Sequence, residues 1–376
     1  MRSKFFAAVA AAVALVALAE PAASAARSTS AGNEKAAGCP GGTLLTAVSA
    51  HRLPAGSTAY TYKLLDGTSF ESIAPPTGFN PATASSALLT ELNLPRRPAG
   101  AVARRSWDAQ VAPFSKSKIS GATQFCENKS IAEPKSVTAT QPAVGTVPAA
   151  TAGGTRSFSG YEWQSGTYEK AVSHFTQPRV AGIGSFSDWV GLNGTALVNG
   201  SNSADRLIQA GVDSPLGRPF WELYCSGGSK DGCNSAQIDS NNIASPGANV
   251  SVSVSFNPAT RLSYYAVSIN GTQVVNVQYL MQRGSHSGDV ADFMTERGPG
   301  GSPIPYFATI QFSGWNAYRV WNSNTPVAFG SQKVYADEMS FNGVFYAPPC
   351  STNSNIMMYP NRITSSGFLN NFCRPF

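Results

Sequence analysis

Gln209 lies in Leu207-Ile208-Gln209-Ala210-Gly211-Val212-Asp213, shortly after Trp189-Val190-Gly191-Leu192-Asn193-Gly194 and before Phe220-Trp221-Glu222-Leu223-Tyr224. Further along, Ala291-Asp292-Phe293-Met294-Thr295-Glu296 supplies two carboxylates. An amide and a carboxylate brought together can hydrolyse a peptide without a covalent intermediate. The carboxylate takes a proton from water as the water attacks, and the amide N–H₂ donates to the developing oxyanion. Glutamine suits the second role because it is neutral, donates, and can also accept from the water. Other chemistries are poorly supplied. Gly284-Ser285-His286-Ser287-Gly288 has histidine where a nucleophilic serine would stand. There is no H-E-x-x-H, Walker loop or dinucleotide fingerprint. Only His51, His174 and His286 are present, too few for a multi-histidine metal site, and His286 reads as a solvated loop residue.

These residues need strands to position them. Alternation along an extended segment places the Gln209 side chain with Leu207 and Gly211, opposite Ile208 and Val212. With Ile208 and Val212 in the core, Gln209 points to the other, concave surface. Asp292 and Glu296 share a face but are about 13 Å apart along a strand, so one of them at most sits opposite Gln209. From residue 156 onward the chain is strand-like. Val250, Val252, Val254 and Phe256 alternate with polar residues, as in a half-buried strand. Asn270-Gly271 between two apolar runs is a hairpin signal. Further runs cover 161–176, 187–192, 206–212, 221–225, 288–296, 306–312 and 343–346, with no convincing amphipathic helix. The expected fold of 156–376 is all-β, an antiparallel β-sandwich formed as one domain.

The order of W-V-G-x-[DN]-G, I-Q-x-G-V-D, F-W-E-L-Y and A-[ED]-aromatic segments resembles the glutamic peptidases of the eqolisin type. That resemblance implies a concanavalin-like sandwich and a secreted, acid-acting endopeptidase with a Gln/carboxylate dyad and no cofactor. Gln209 then takes the glutamine role and Asp292 the carboxylate role, with Glu296 the alternative base. Trp189, Asp213 and Glu222 line or brace the substrate cleft. Pro305-Tyr306-Phe307-Ala308-Thr309-Ile310-Gln311-Phe312 resembles the strand that follows. The chain departs from the pattern at four places. Asp292 replaces glutamate, Phe293 replaces tryptophan, Asn193 replaces aspartate, and Ser157-Phe158-Ser159-Gly160 stands for N-W-[SA]-G. The shorter Asp292 arm matters, because a displacement of about 1 Å costs on the order of 100-fold in rate.

Residues 1–25 read as a signal peptide: Arg2 and Lys4, an apolar run from Phe5 to Leu18, then Ala23-Ser24-Ala25. Residues 26–130 form a leader-like segment. Its Gly78-Phe79-Asn80-Pro81 … Leu94-Pro95-Arg96-Arg97-Pro98 run resembles the leader of bacterial members of the same family. Within it Thr83 or Ser85 is expected to cap a short helix carrying Leu88, Leu89 and Leu92, ended by Pro95. Residues 131–155, rich in Ala, Pro, Thr and Gly, read as a linker. There are 14 Lys/Arg against 8 Asp/Glu before residue 151, and 13 against 13 after it. A basic leader facing an acidic cleft would dock there and be released on acidification, while the later region offers no basic face for nucleic acid. Six cysteines fit an oxidising destination, and pairing neighbours gives Cys39–Cys126, Cys225–Cys233 and Cys350–Cys373 as one of several connectivities. The expected product is extracellular and monomeric, with a polypeptide substrate and no membrane partner. Two other readings stand beside this one. One is a non-catalytic sandwich binding glycans or surfaces through Trp163, Trp315, Tyr318 and Trp321. The other is a glycosidase using Asp292 with Glu222, which needs carboxylates about 5–9.5 Å apart.

Overall fold

The computed structural model describes residues 42–94, 96–111, 116–117, 123–127, 138–142, 151–155, 157–164, 166–181, 184–193, 206–214, 216–225, 234–239, 242–281, 286–298, 304–307, 309–340 and 355–373. The signal-like segment, Cys39, Cys233, Cys350 and the run 343–346 lie outside them. Val250, Val252, Val254 and Phe256 fall on the strand Asn249–Asn257, and all four pack in the core. The hairpin at Asn270-Gly271 joins Leu262–Ile269 to Thr272–Leu280. Asn270 and Gly271 have φ of 50° and 71°, the left-handed pair that matches the twist of the flanking strands.

The strands stack as two layers, almost all antiparallel. One layer runs Gln124–Glu127, Asn234–Asp239, Arg218–Cys225, Arg206–Ser214, Phe186–Asn193, Val290–Arg297, Phe158–Trp163, Val334–Ser340. The other runs Gly367–Phe372, Ile310–Tyr318, Lys170–Thr176, Asn249–Asn257, Leu262–Ile269, Thr272–Leu280, Ser69–Ala74, Thr58–Lys63, Ala47–Arg52. Ile356–Thr364 pairs with an edge strand of each layer and joins them. Between the layers lie Val190, Leu192, Ile208, Ala210, Val212 and Phe293 from the first, and the valines of Asn249–Asn257 from the second. Trp163, Phe293 and Trp315 meet at ring-centroid distances of 5.1 to 5.7 Å. Trp163, Trp315 and Tyr318 are therefore core residues, and Trp321 stacks on Tyr264 at 5.2 Å. The exposed aromatic platform anticipated for glycan binding is not there, because alternation fixes a face but not what covers it.

The segment before residue 130 adds strands to both layers. Ser69–Ala74 pairs with Thr272–Leu280, and Gln124–Glu127 with Asn234–Asp239. Tyr62 stacks on Phe70, Phe125 meets both edge-on, and Phe70 meets Trp221 at 4.9 Å. Ser85 caps the helix Ser86–Glu91, its hydroxyl accepting from the Leu88 N–H. The helix ends at Glu91, and Asn93 beyond its cap takes the left-handed region with φ 54°, before Pro95 is reached. A second helix, Ala101–Val111, places Trp107 and Val111 with Leu89, Leu92 and Ala266 on the outside of the second layer. The serines of Asn249–Asn257, which alternation had assigned to solvent, are buried. Ser255 donates to Asn93 and Ser251 meets the His174 ring. Within the segment read as a linker, Thr138–Pro142 and Thr151–Thr155 pair, and the latter runs parallel to Val334–Ser340. Cys126 and Cys373 each take part in a disulfide. Among the described residues no helix is long and apolar enough to cross a membrane.

Candidate active site

Asp292 lies directly opposite Gly191, and Gly191 directly opposite Gln209. On the far side of Gln209 the opposing residue is Glu222, and on the far side of Asp292 it is Glu162. Residues opposed in this way project to the same face of a sheet. One line thus crosses five strands: Glu162, Asp292, Gly191, Gln209, Glu222. Their neighbours Tyr161, Trp163, Phe293, Val190, Leu192, Ile208, Ala210, Trp221 and Leu223 all turn into the core, so the line lies on the outer face of the first layer. All four side chains are buried.

Gly191 is the gap in that line. A Cβ there would fall 2.8 Å from both Leu207 Cδ1 and Trp189 Cζ3, so the flanking side chains leave no room for one. The Asp292 and Gln209 backbones are two strand spacings apart, about 9.6 Å, and their side chains flank a residue that has none. Asp292 and Glu222 are three spacings apart, about 14 Å at the backbone, with Gln209 between them.

Each polar side chain is held. Asn193 Nδ2 donates to Asp292 Oδ2 at 2.5 Å, and Gln209 Nε2 to Glu222 Oε2 at 2.6 Å. Gln164 Nε2 donates to Glu162 at 2.5 Å. Among the described residues, Gln209 Oε1 and Asn193 Oδ1 are buried acceptors with no hydrogen-bond partner. Glu296 is not in the line. It opposes Ser187, beyond which stands Asp213, and it accepts from Trp189 Nε1 at 2.9 Å. Asp213 accepts from Gln237 at 3.1 Å. Burial raises its carboxyl to about 6, against the pull of Gln237 and the Arg218 charge. Phe158, Trp189, Leu207, Phe220, Tyr224 and Met294 form an apolar cluster on this face.

The reverse side of the same strands carries a second polar group. Thr295 donates to Asp188 Oδ1 at 2.6 Å, and Asn370 Nδ2 donates to Thr295 Oγ1 at 3.0 Å and to the Ser159 carbonyl at 2.7 Å. Among the described residues Asp188 Oδ2 has no hydrogen-bond partner, and burial raises this carboxyl to about 7. His286 is not a solvated loop residue: Nδ1 lies 2.8 Å from the Arg206 carbonyl and the ring packs on Phe256. Among the described residues no group of three or more His, Cys, Asp or Glu is placed to hold a metal ion.

The structure brings Gln209, Asp292 and Glu222 together, with Trp189 on the same face and Glu296 and Asp213 one cluster away. Sequence reasoning missed Glu162, the spacing role of Gly191 and the Asn193 donor. The glycine between Val190 and Leu192 was the one available signal, since a strand interior rarely gains from glycine unless something approaches closely.

A family model, described as the Peptidase A4 family, matches residues 156–344. No curated protein matches the chain. Among solved structures, scytalido-glutamic peptidase with a transition-state analogue inhibitor aligns at 12% identity, over 58% of this chain and 98% of that one, with a TM-score of 0.42. The same peptidase with a peptide-based analogue aligns at 13% and 0.42 over the same shares. Tailspike protein 2 from the Escherichia coli O157:H7 bacteriophage CAB120 aligns at 13% identity over 48% of this chain and 25% of that one, with a TM-score of 0.25.

Proposed function

The chain belongs to the peptidase A4 family, and on that premise we propose that it hydrolyses polypeptides by activating one water between Asp292 and Gln209. The observation that carries this reading is the shared line in which the two face each other across Gly191. A water held between the two side chains donates one hydrogen to Asp292 and the other to Gln209 Oε1, a buried acceptor with no partner among the described residues. As the water oxygen bonds to the substrate carbonyl carbon, Asp292 takes the first proton and the carbonyl π pair moves to its oxygen. Glu222 holds one hydrogen of the Gln209 amide. The second amide hydrogen is then free to be donated to the oxyanion. Asp292 returns its proton to the amine as the C–N bond breaks, leaving a carboxylic acid and an amine.

Activity at low pH belongs to the same reading, and it is supported by a fold that acid does not penalise at Asp188 and Asp213, whose carboxyls burial raises. Export through residues 1–25, release of a leader ending near 155, the three neighbouring disulfides and a monomeric product belong to the same reading. Purified Gln209→Ala and Asp292→Asn proteins, assayed on a denatured substrate at acid pH, test the dyad. Loss of a positioned oxyanion donor costs about 100-fold to 1,000-fold in kcat. Unchanged proteolysis in either variant removes that residue from the mechanism. A full-length chain that cleaves as fast as one starting near residue 155 removes the leader as an inhibitor.

A further inference from the structure

We propose that Asn193 is the positioning residue that keeps Asp292 ready to act as a base, by donating to its Oδ2. This rests on the reading of Asp292 given above. Asn193 ends the strand Phe186–Asn193, two residues beyond Gly191 on the same face, and its amide reaches diagonally to Asp292 Oδ2 at 2.5 Å. Both residues are buried. A donor to an ionised carboxylate favours that form, and an amide keeps its hydrogens at every working pH.

The setting makes such a donor necessary. On the same face, the neighbouring strands present Glu162 directly beside Asp292, Glu222 beyond Gln209, and Asp213 with Arg218 two rows away. Glu296 lies on Asp292's own strand. Carboxylates dominate this list, and each one disfavours a negative charge on Asp292. The Asn193 amide opposes them without adding a charge of its own. Among the described residues its Oδ1 is buried with no hydrogen-bond partner.

The test reads Asp292 directly by carboxyl-carbon NMR of the full chain, alongside the pH profile of kcat/KM. Asn193→Ala removes the donor. The Asp292 titration midpoint should rise by about one pH unit, and the acid limb of kcat/KM should move up with it. Asn193→Asp is nearly isosteric and donates only while it holds a proton. It should keep the acid limb and lose activity as that proton leaves, giving an alkaline limb below that of the native chain. If Asn193→Ala does not fold, Asn193→Asp carries the test alone. An Asp292 midpoint unmoved in Asn193→Ala, or an unchanged alkaline limb in Asn193→Asp, overturns the assignment. A native chain that cleaves no peptide overturns the proposed function instead, and the titration arm still decides the role of Asn193.

Discussion

Replacing Asp188 by asparagine should abolish a large part of the pH dependence of folding stability. Asp188 sits between the two layers, with one oxygen accepting from Thr295 and the other without a partner. Burial raises its carboxyl from 3.8 to about 7. Below pH ~4 the group is neutral in both the folded and unfolded chains, and its full contribution to stability is present. As pH rises toward 7 the unfolded chain ionises freely while the folded one does not, so stability falls. Above about 7 the loss is complete. The interval from 3.8 to about 7, at about 1.36 kcal/mol per unit, amounts to roughly 4 kcal/mol. Asparagine keeps the acceptor for Thr295 and does not titrate, but it places an unpaired N–H₂ where Oδ2 was, costing about 1–3 kcal/mol. The variant should therefore be less stable than the native chain at pH 4 and more stable at pH 8. Urea unfolding of both proteins at the two pH values measures this, and the double difference cancels carboxyls that the substitution leaves alone. Parallel stability curves for the two proteins would show that Asp188 is not held neutral by the fold.

Gly191→Ala should fold yet lose about 100-fold in kcat, since its methyl occupies the space between Asp292 and Gln209 and displaces Trp189 and Leu207; single-turnover cleavage at acid pH reads it. Phe70→Ala should cost about 3–5 kcal/mol, because Phe70 ties the N-terminal strands to Trp221; the urea midpoint reports it. Ser85→Ala, which removes the acceptor for the Leu88 N–H, should cost about 1 kcal/mol by the same assay.

Local periodicity was readable in the sequence. The alternation of Leu207–Asp213 places Gln209 away from the core, and Ile208, Ala210 and Val212 indeed pack within it. The Asn270-Gly271 turn and the Asn249–Asn257 strand were legible for the same reason: both depend on residues within a few positions of each other. Pairing was not legible. Asp292 meets Gly191 and Asn193 across about a hundred residues of chain, and alternation within a strand says nothing about which strand lies beside it. Cover was not legible either. The serines of Asn249–Asn257 and the indoles of Trp163 and Trp315 carry polar atoms that read as exposed, and only the tertiary packing buries them.

Two departures from the family pattern, Asp292 and Asn193, stand 99 positions apart and look unrelated in the sequence. In the fold their side chains are hydrogen-bonded. A shorter carboxylate reaches less far into the gap over Gly191, so its orientation must be held more tightly to present an oxygen to the water. A neutral donor supplies that hold and adds no charge beside Glu162. An ionised aspartate at 193 would do the reverse, setting two carboxylates within hydrogen-bonding distance in a buried line already rich in acids. The pair therefore acts as one device. In the mechanism proposed above, an amide at 193 is what lets the shorter arm at 292 serve as the base.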